Sequence, residues 1–98
     1  DDMAKGAAAA LDKANISHGV DKDVIIMGFD CNKWALEELK KGNWNYDGQC
    51  NPFQAETLHE IIQKLQKGET ISEKKVIMEE KGFDAKEITD DDIKKFGI

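Results

Sequence analysis

Two short polar segments of this chain carry the residue types that could bind a small molecule. The first is Asp30, which directly follows the apolar run Val24 to Phe29. The second is Gln49-Cys50-Asn51, which directly precedes Pro52. Each segment reads as the carboxyl end of a strand. In open parallel sheets that is where ligands bind. A carboxylate and an amide are planar, and each can hold two neighbouring hydroxyls. A thiol beside them completes the rim. This is the inventory a sugar or polyol needs, since every buried polar group must find a partner. Asp30, Gln49 and Cys50 are therefore the candidate ligand-binding residues. Asp30 has an alternative role as the cap of the next helix, and Asn51 reads as a cap in its own right.

Catalytic chemistry is not legible. The chain has no GxSxG, P-loop, GxGxxG or HExxH segment. His18 lies in a loop and His59 on the exposed or boundary face of a helix, and neither has a nucleophile at a recognisable spacing. Asp90-Asp91-Asp92 is too short for a calcium loop, lacks its glycine, and reads as a solvated helix start. Trp34, Trp44, Phe53 and Phe83 could stack on a sugar face but read as packing residues. The expectation is a non-catalytic binding module without cofactor or metal.

Composition narrows the partners. The 98 residues contain 20 acidic side chains and 14 lysines, giving a net charge of −6, and no arginine. Nucleic-acid binding draws on clustered positive charge and on the arginine fork, so nucleic acid is excluded as a partner. No apolar run approaches the ~20 residues of a membrane span. Cys31 and Cys50 match no zinc or CxxC pattern. They read as two small buried thiols, although an oxidising compartment would allow one disulfide.

Positioning falls to alternating helices and strands. Met3, Ala7, Ala10, Leu11 and Ala14 share one face of a first helix. Val24 to Phe29 is apolar without alternation, as in a strand covered on both sides. Asn32 caps a helix from Lys33 to Lys41 with Trp34 or Ala35, Leu36 and Leu39 inward, and Gly42 stops it. Trp44 to Cys50 is a second strand, with Trp44, Tyr46 and Gly48 on one side and Asn45, Asp47 and Gln49 on the other. Asn51-Pro52 opens a helix to about Lys67 with Ala55, Leu58, Ile61, Ile62 and Leu65 as its stripe. Val76-Ile77-Met78 is a third strand. Thr89 with Asp92 forms a capping box on a last helix, Asp90 to Phe96. This order predicts an α/β fold, a parallel three-layer sheet with helices on both faces. The chain opens on a helix with no strand before it, which reads as the tail end of a longer protein.

These segments, taken together, resemble the sugar-binding proteins of bacterial ABC uptake systems, the ribose- and galactose-binding type. Asp1 to Ala7 is similar to their N-D-x-M-A-x-G-A segment. Val24 to Asp30 is similar to V-x-V-x-G-F-D. The stretch from Gly42 to Pro52 resembles G-x7-Q-x-P, and Ile88 to Phe96 resembles the I-T-x-x-D-V-x-K-F tail. The similarity runs along the whole chain and covers about the last third of a family member. The resemblance implies a periplasmic binding protein-like I fold, of which this chain is a C-terminal fragment. Two lobes would clamp a sugar, with Asp30 bonding its hydroxyls and a ligand asparagine immediately before Asp1. The family amide maps to Cys50 rather than Gln49. Either a bulge turns Gln49 inward, or a thiol replaces the amide.

The resemblance also implies a domain plan. Residues 1-50 belong to the C-terminal lobe. Residues 51-68 are a hinge and a helix that packs on the N-terminal lobe, and 69-98 return as a strand and helix. The partners would be a small neutral sugar or polyol, the missing N-terminal part of the same protein, and a membrane permease. The location would be extracytoplasmic, in the periplasm or lipid-anchored at the cell surface. Such a fragment would hold pieces of both lobes and fold poorly alone. The alternative is the effector-binding domain of a lactose-repressor-type transcription regulator. Cys31-Asn32 and Gly48-Gln49-Cys50 fit that family less well.

Overall fold

A computed structural model describes all 98 residues. The elements are α1 (Asp2–Lys13), β1 (Met27–Asp30), α2 (Lys33–Lys40), β2 (Tyr46–Gln49), α3 (Ala55–Gln66), β3 (Gly82–Asp84) and α4 (Asp90–Phe96). No helix is long and apolar enough to cross a membrane.

The sheet has the order β1-β2-β3. β1 and β2 run parallel, joined through α2, with Met27 opposite Tyr46 and Asp30 opposite Gln49. β3 pairs antiparallel to β2, with Phe83 opposite Asp47. The sheet is therefore mixed, not parallel as the alternation of elements suggests. The third strand is also not Val76 to Met78. Val76 and Ile77 are exposed, and the strand is the less hydrophobic Gly82-Phe83-Asp84. Phe83 explains the choice, because burying one aromatic ring in the core outweighs the strand preference of an uncovered Val-Ile pair.

One face of the sheet carries the core. Ile26, Cys31, Ala35, Leu36, Leu39, Trp44, Phe83, Ile88 and Ile93 form a single buried cluster. α2 contributes Ala35, Leu36 and Leu39, as its spacing predicts. Gly42 follows α2 with φ +79°, the left-handed stop that a side chain rarely adopts. α4 begins with the expected capping box: Thr89 accepts from the Asp92 amide while Asp92 accepts from the Thr89 amide. α1 buries Ala8, and Ala4 and Leu11 pack beside the core. Met3 is exposed, so the buried face is rotated from the one its sequence suggests.

The other face of the sheet is open. Met27 and Phe29 are more than half exposed, and Tyr46 lies at the surface. The uninterrupted apolar run from Val24 to Phe29 is thus buried only at alternate positions, contrary to the three-layer expectation. Phe29 leans across Gly48 and Tyr46 across Gly82, where any Cβ would collide with the ring.

Residues 50–81 form an arm. No residue in this stretch is buried, although α3 shows the apolar stripe its spacing predicts. Leu58, Ile62 and Leu65 are each more than half exposed. The arm stretches the molecule to 61 × 24 × 17 Å with a radius of gyration of 17.9 Å, against about 13 Å for a compact chain of this length. Its helix starts later than Asn51-Pro52 predicts. The Asn51 side chain accepts from the Phe53 amide at 2.8 Å, which closes a local turn, and α3 begins at Ala55.

Candidate functional site

The site is built where β1 and β2 end. Asp30 and Gln49 are register partners at the last rung of the parallel pair. Both ladders run through this region residue by residue, and Gln49 needs no bulge to stand beside Asp30. Asp30 is exposed and Gln49 half-buried. Gln49 is tied to the returning chain: its amide donates to the Lys81 carbonyl at 2.8 Å, and its Oε1 accepts from the Lys81 amide at 3.2 Å. Cys50 lies one residue past the strand, exposed and as a free thiol, which corrects the expectation that both cysteines are buried. The structure therefore brings Asp30 and Gln49 together and sets Cys50 at the start of the arm.

The turn that carries Asp30 is conformationally unusual. Asp30 has φ +126° and Cys31 has φ +62°. Non-glycine residues in this half of the map cost about 1–3 kcal/mol each, so the surroundings must enforce them. Several contacts do so. The Cys31 carbonyl accepts from the Ile98 amide at 3.1 Å, and the Lys33 amide donates to the Ile98 carbonyl at 3.0 Å. Asp1 approaches from α1: its Oδ2 accepts from the Asn32 amide at 2.8 Å and from Asn32 Nδ2 at 3.1 Å. Asn32 sits at the expected cap position of α2, but its side chain is spent on Asp1 rather than on the helix.

Two buried groups lie beneath this turn, and the sequence flags neither. Cys31 is fully buried and its thiol is pushed up to about 12, by burial first and then by the charge of Asp47. A thiol held so far from ionisation is chemically inert. Asp47, in the middle of β2, is also fully buried. Burial pushes its carboxyl up to about 6, partly offset by the neighbouring Cys31 amide. The carboxylate lies beside the amides of Cys31 and Gly48 without closing a well-formed hydrogen bond to either. A polar residue alternating along a strand reads as solvent-facing, so no sequence signal distinguishes this acid from an exposed one.

The remaining candidates have structural roles. His18 is nearly buried, with Nδ1 2.9 Å from the Asn43 carbonyl and Nε2 3.1 Å from Asp12. It ties the end of α1 to the loop after α2. His59 is exposed and contacts Gln63 within α3. Trp44 and Phe83 are core, Trp34 meets Trp44 edge-on at 5.8 Å, and Phe53 is exposed on the arm. A cavity of about 580 Å³ between α1 and α2 is lined by Lys5, His18, Trp34, Asn43 and Trp44 among others, on a different part of the surface from the strand ends.

No protein-family model and no curated protein matches the chain. Solved structures do. A crystal structure from Mycobacterium smegmatis matches 88% of this chain with TM-score 0.74 and 29% identity. A second from the same organism, in complex with β-D-fucofuranose, matches 88% with TM-score 0.72 and 30% identity. A galactofuranose binding protein matches 97% with TM-score 0.76 and 23% identity. The chain spans only 28%, 27% and 30% of those three proteins. This small α/β chain thus shares its fold with a portion of larger proteins, one solved with β-D-fucofuranose and one a galactofuranose binding protein.

Proposed function

We propose that this chain is the C-terminal part of a two-lobed, non-catalytic solute-binding protein that holds a small neutral sugar for an ABC-type uptake system. The observation that carries the reading is the pairing of Asp30 with Gln49 at the ends of two parallel strands, in a fold shared with a protein solved around β-D-fucofuranose. That similarity favours a furanose over a linear polyol. Asp30 would accept from two ring hydroxyls, Gln49 Nε2 would donate to a third oxygen, and Cys50 would border the ligand from the hinge side.

The reading also accounts for the two uncovered surfaces. The open sheet face and the apolar stripe of α3 are where the missing N-terminal part would rest. Residues 51–68 would then be hinge and helix leaning on the other lobe, with 69–98 returning to the first. Lobe closure on the sugar would be what a membrane permease senses. The location would be extracytoplasmic.

The test is calorimetry on the full-length protein with galactofuranose, other hexoses, pentoses and polyols. Asp30→Asn should weaken the preferred sugar by about 1–3 kcal/mol, since partner hydroxyls would be left unpaired. Unchanged affinity would remove Asp30 from the site.

A further inference from the structure

Lys81 is the last residue of the arm and sits directly before β3. The register of β2 and β3 ends at Gly48 opposite Gly82. One residue further on, Lys81 grips Gln49 at two points. Its carbonyl accepts from the Gln49 amide at 2.8 Å, and its own amide donates to Gln49 Oε1 at 3.2 Å. The second bond goes to a side chain instead of the main chain, so it fixes the Gln49 carboxamide with its oxygen toward the returning chain. The Lys81 side chain is tied to a different element. Its ammonium lies 2.8 Å from Asp92 Oδ1 on α4, 4.8 Å from the centre of the Phe83 ring and 5.0 Å from that of Phe96. Phe83 is core, and the two rings pack with their centres 5.3 Å apart.

An exposed lysine–carboxylate pair contributes little by itself, because two long side chains must be ordered in water. Here the carboxylate is ordered beforehand. Asp92 Oδ2 accepts from the Thr89 amide at 3.1 Å and from the Thr89 hydroxyl at 2.6 Å, while Oδ1 accepts from Lys81. The rings of Phe83 and Phe96 add attraction for the same ammonium. A continuous set of contacts thus runs from the α4 cap through Asp92 and Lys81 to Gln49, and Gln49 shares the last parallel rung with Asp30. We propose that Lys81 is a positioning residue for the sugar site: by pinning the end of the arm to α4, it holds the Gln49 side chain in the orientation in which it meets the ligand beside Asp30. The inference rests on the reading of Gln49 as a sugar ligand. A fixed amide binds more tightly than a free one, because its rotamer freedom is lost before the sugar arrives. The Lys81 side chain itself needs no contact with the sugar.

The experiment combines calorimetry and NMR on the full-length protein. Lys81→Met removes the ammonium and keeps an unbranched side chain; the position is half exposed, so the core is left intact. Galactofuranose affinity should fall roughly three- to tenfold in Lys81→Met, the scale of one hydrogen bond. Lys81→Arg, which keeps the cation, should restore most of it. In a Gln49→Ala background, Lys81→Met should cost nothing further, since the two residues act as one unit. The Gln49 side-chain NH2 signals, identified by their loss in Gln49→Ala, should move toward those of free glutamine in Lys81→Met and stay in place in Lys81→Arg. Unchanged affinity in Lys81→Met overturns the proposal. So does an equal loss with and without Gln49, which would mark a general effect on the fold. If Gln49→Ala leaves affinity unchanged, or no sugar binds, the reading of Gln49 as a ligand fails instead. The NH2 signals then decide alone whether Lys81 holds the side chain, and signals that stay in place in Lys81→Met overturn it.

Discussion

The body of this molecule and its arm are made from similar sequence and behave differently. α2 and α3 both carry an apolar stripe at helical spacing. In α2 the stripe is fully buried, whereas in α3 no residue is. Periodicity therefore states which side of a helix wants cover, and says nothing about whether cover is supplied by the same chain. The body gathers its nine-residue core from elements at both ends of the sequence, Ile26 through Trp44 and Phe83 through Ile93. The arm between them contributes none of it.

The sharpest way to test this contrast is to cut both stripes alike. Leu36→Ala should destabilise the chain by about 2–5 kcal/mol in a denaturant melt, because Leu36 has no exposed surface. The smallest change in this set should come from Leu58→Ala on the arm, within about 0.5 kcal/mol in the same chain. A loss at Leu58 comparable to that at Leu36 would mean that the arm packs in solution.

Between those extremes, Asp47→Asn should raise stability at neutral pH by about 1–3 kcal/mol, the cost of an unpaired buried charge. The sign follows from proton binding. The folded carboxyl sits near 6 and its ordinary value is 3.8. The folded state therefore holds the proton more tightly, and the stability due to that proton is full below about 3.8 and lost as pH rises through about 6. The wild-type chain should gain on the variant as pH falls through this window. A constant gap between the two would show that Asp47 is not buried in solution.

A smaller effect is expected at the start of α4. Thr89→Ala should cost about 0.5–2 kcal/mol through the lost capping box. Asp92 of the same box is held down to about 2, first by the Lys81 ammonium 2.8 Å away and then by Thr89. Its contribution is present above 3.8 and lost as pH falls through about 2. An acid melt of Lys81→Met should begin at higher pH than that of the wild type.

Much of the body was legible from residue types. The limits of α2, the Gly42 stop and the Thr89–Asp92 box rest on local rules that tertiary contacts do not override. The adjacency of Asp30 and Gln49 followed from the strand-end rule, and the register of β1 and β2 puts them on one rung. What escaped was set by distant contacts. Gly82-Phe83-Asp84 is too short and too glycine-rich to read as a strand, and only the docking of Phe83 makes it one. Val76-Ile77-Met78 has strand-forming residues and no neighbour to pair with. His18 reads as a surface residue because polarity is the ordinary sign of exposure, and the alternation around Asp47 does not mark its side of the strand as the buried one; burial of a polar side chain is decided by what surrounds it.

The rings of Phe29 and Tyr46 slant over the bare backbone of Gly48 and Gly82. A layer that settled on this side would meet aromatic faces, not a row of branched tips. Branched tips interlock and fix one seating, while ring faces permit lateral slip at little cost in contact. The two glycines thereby give this half of the sheet a bearing surface, on which a neighbouring layer could shift without first being lifted away.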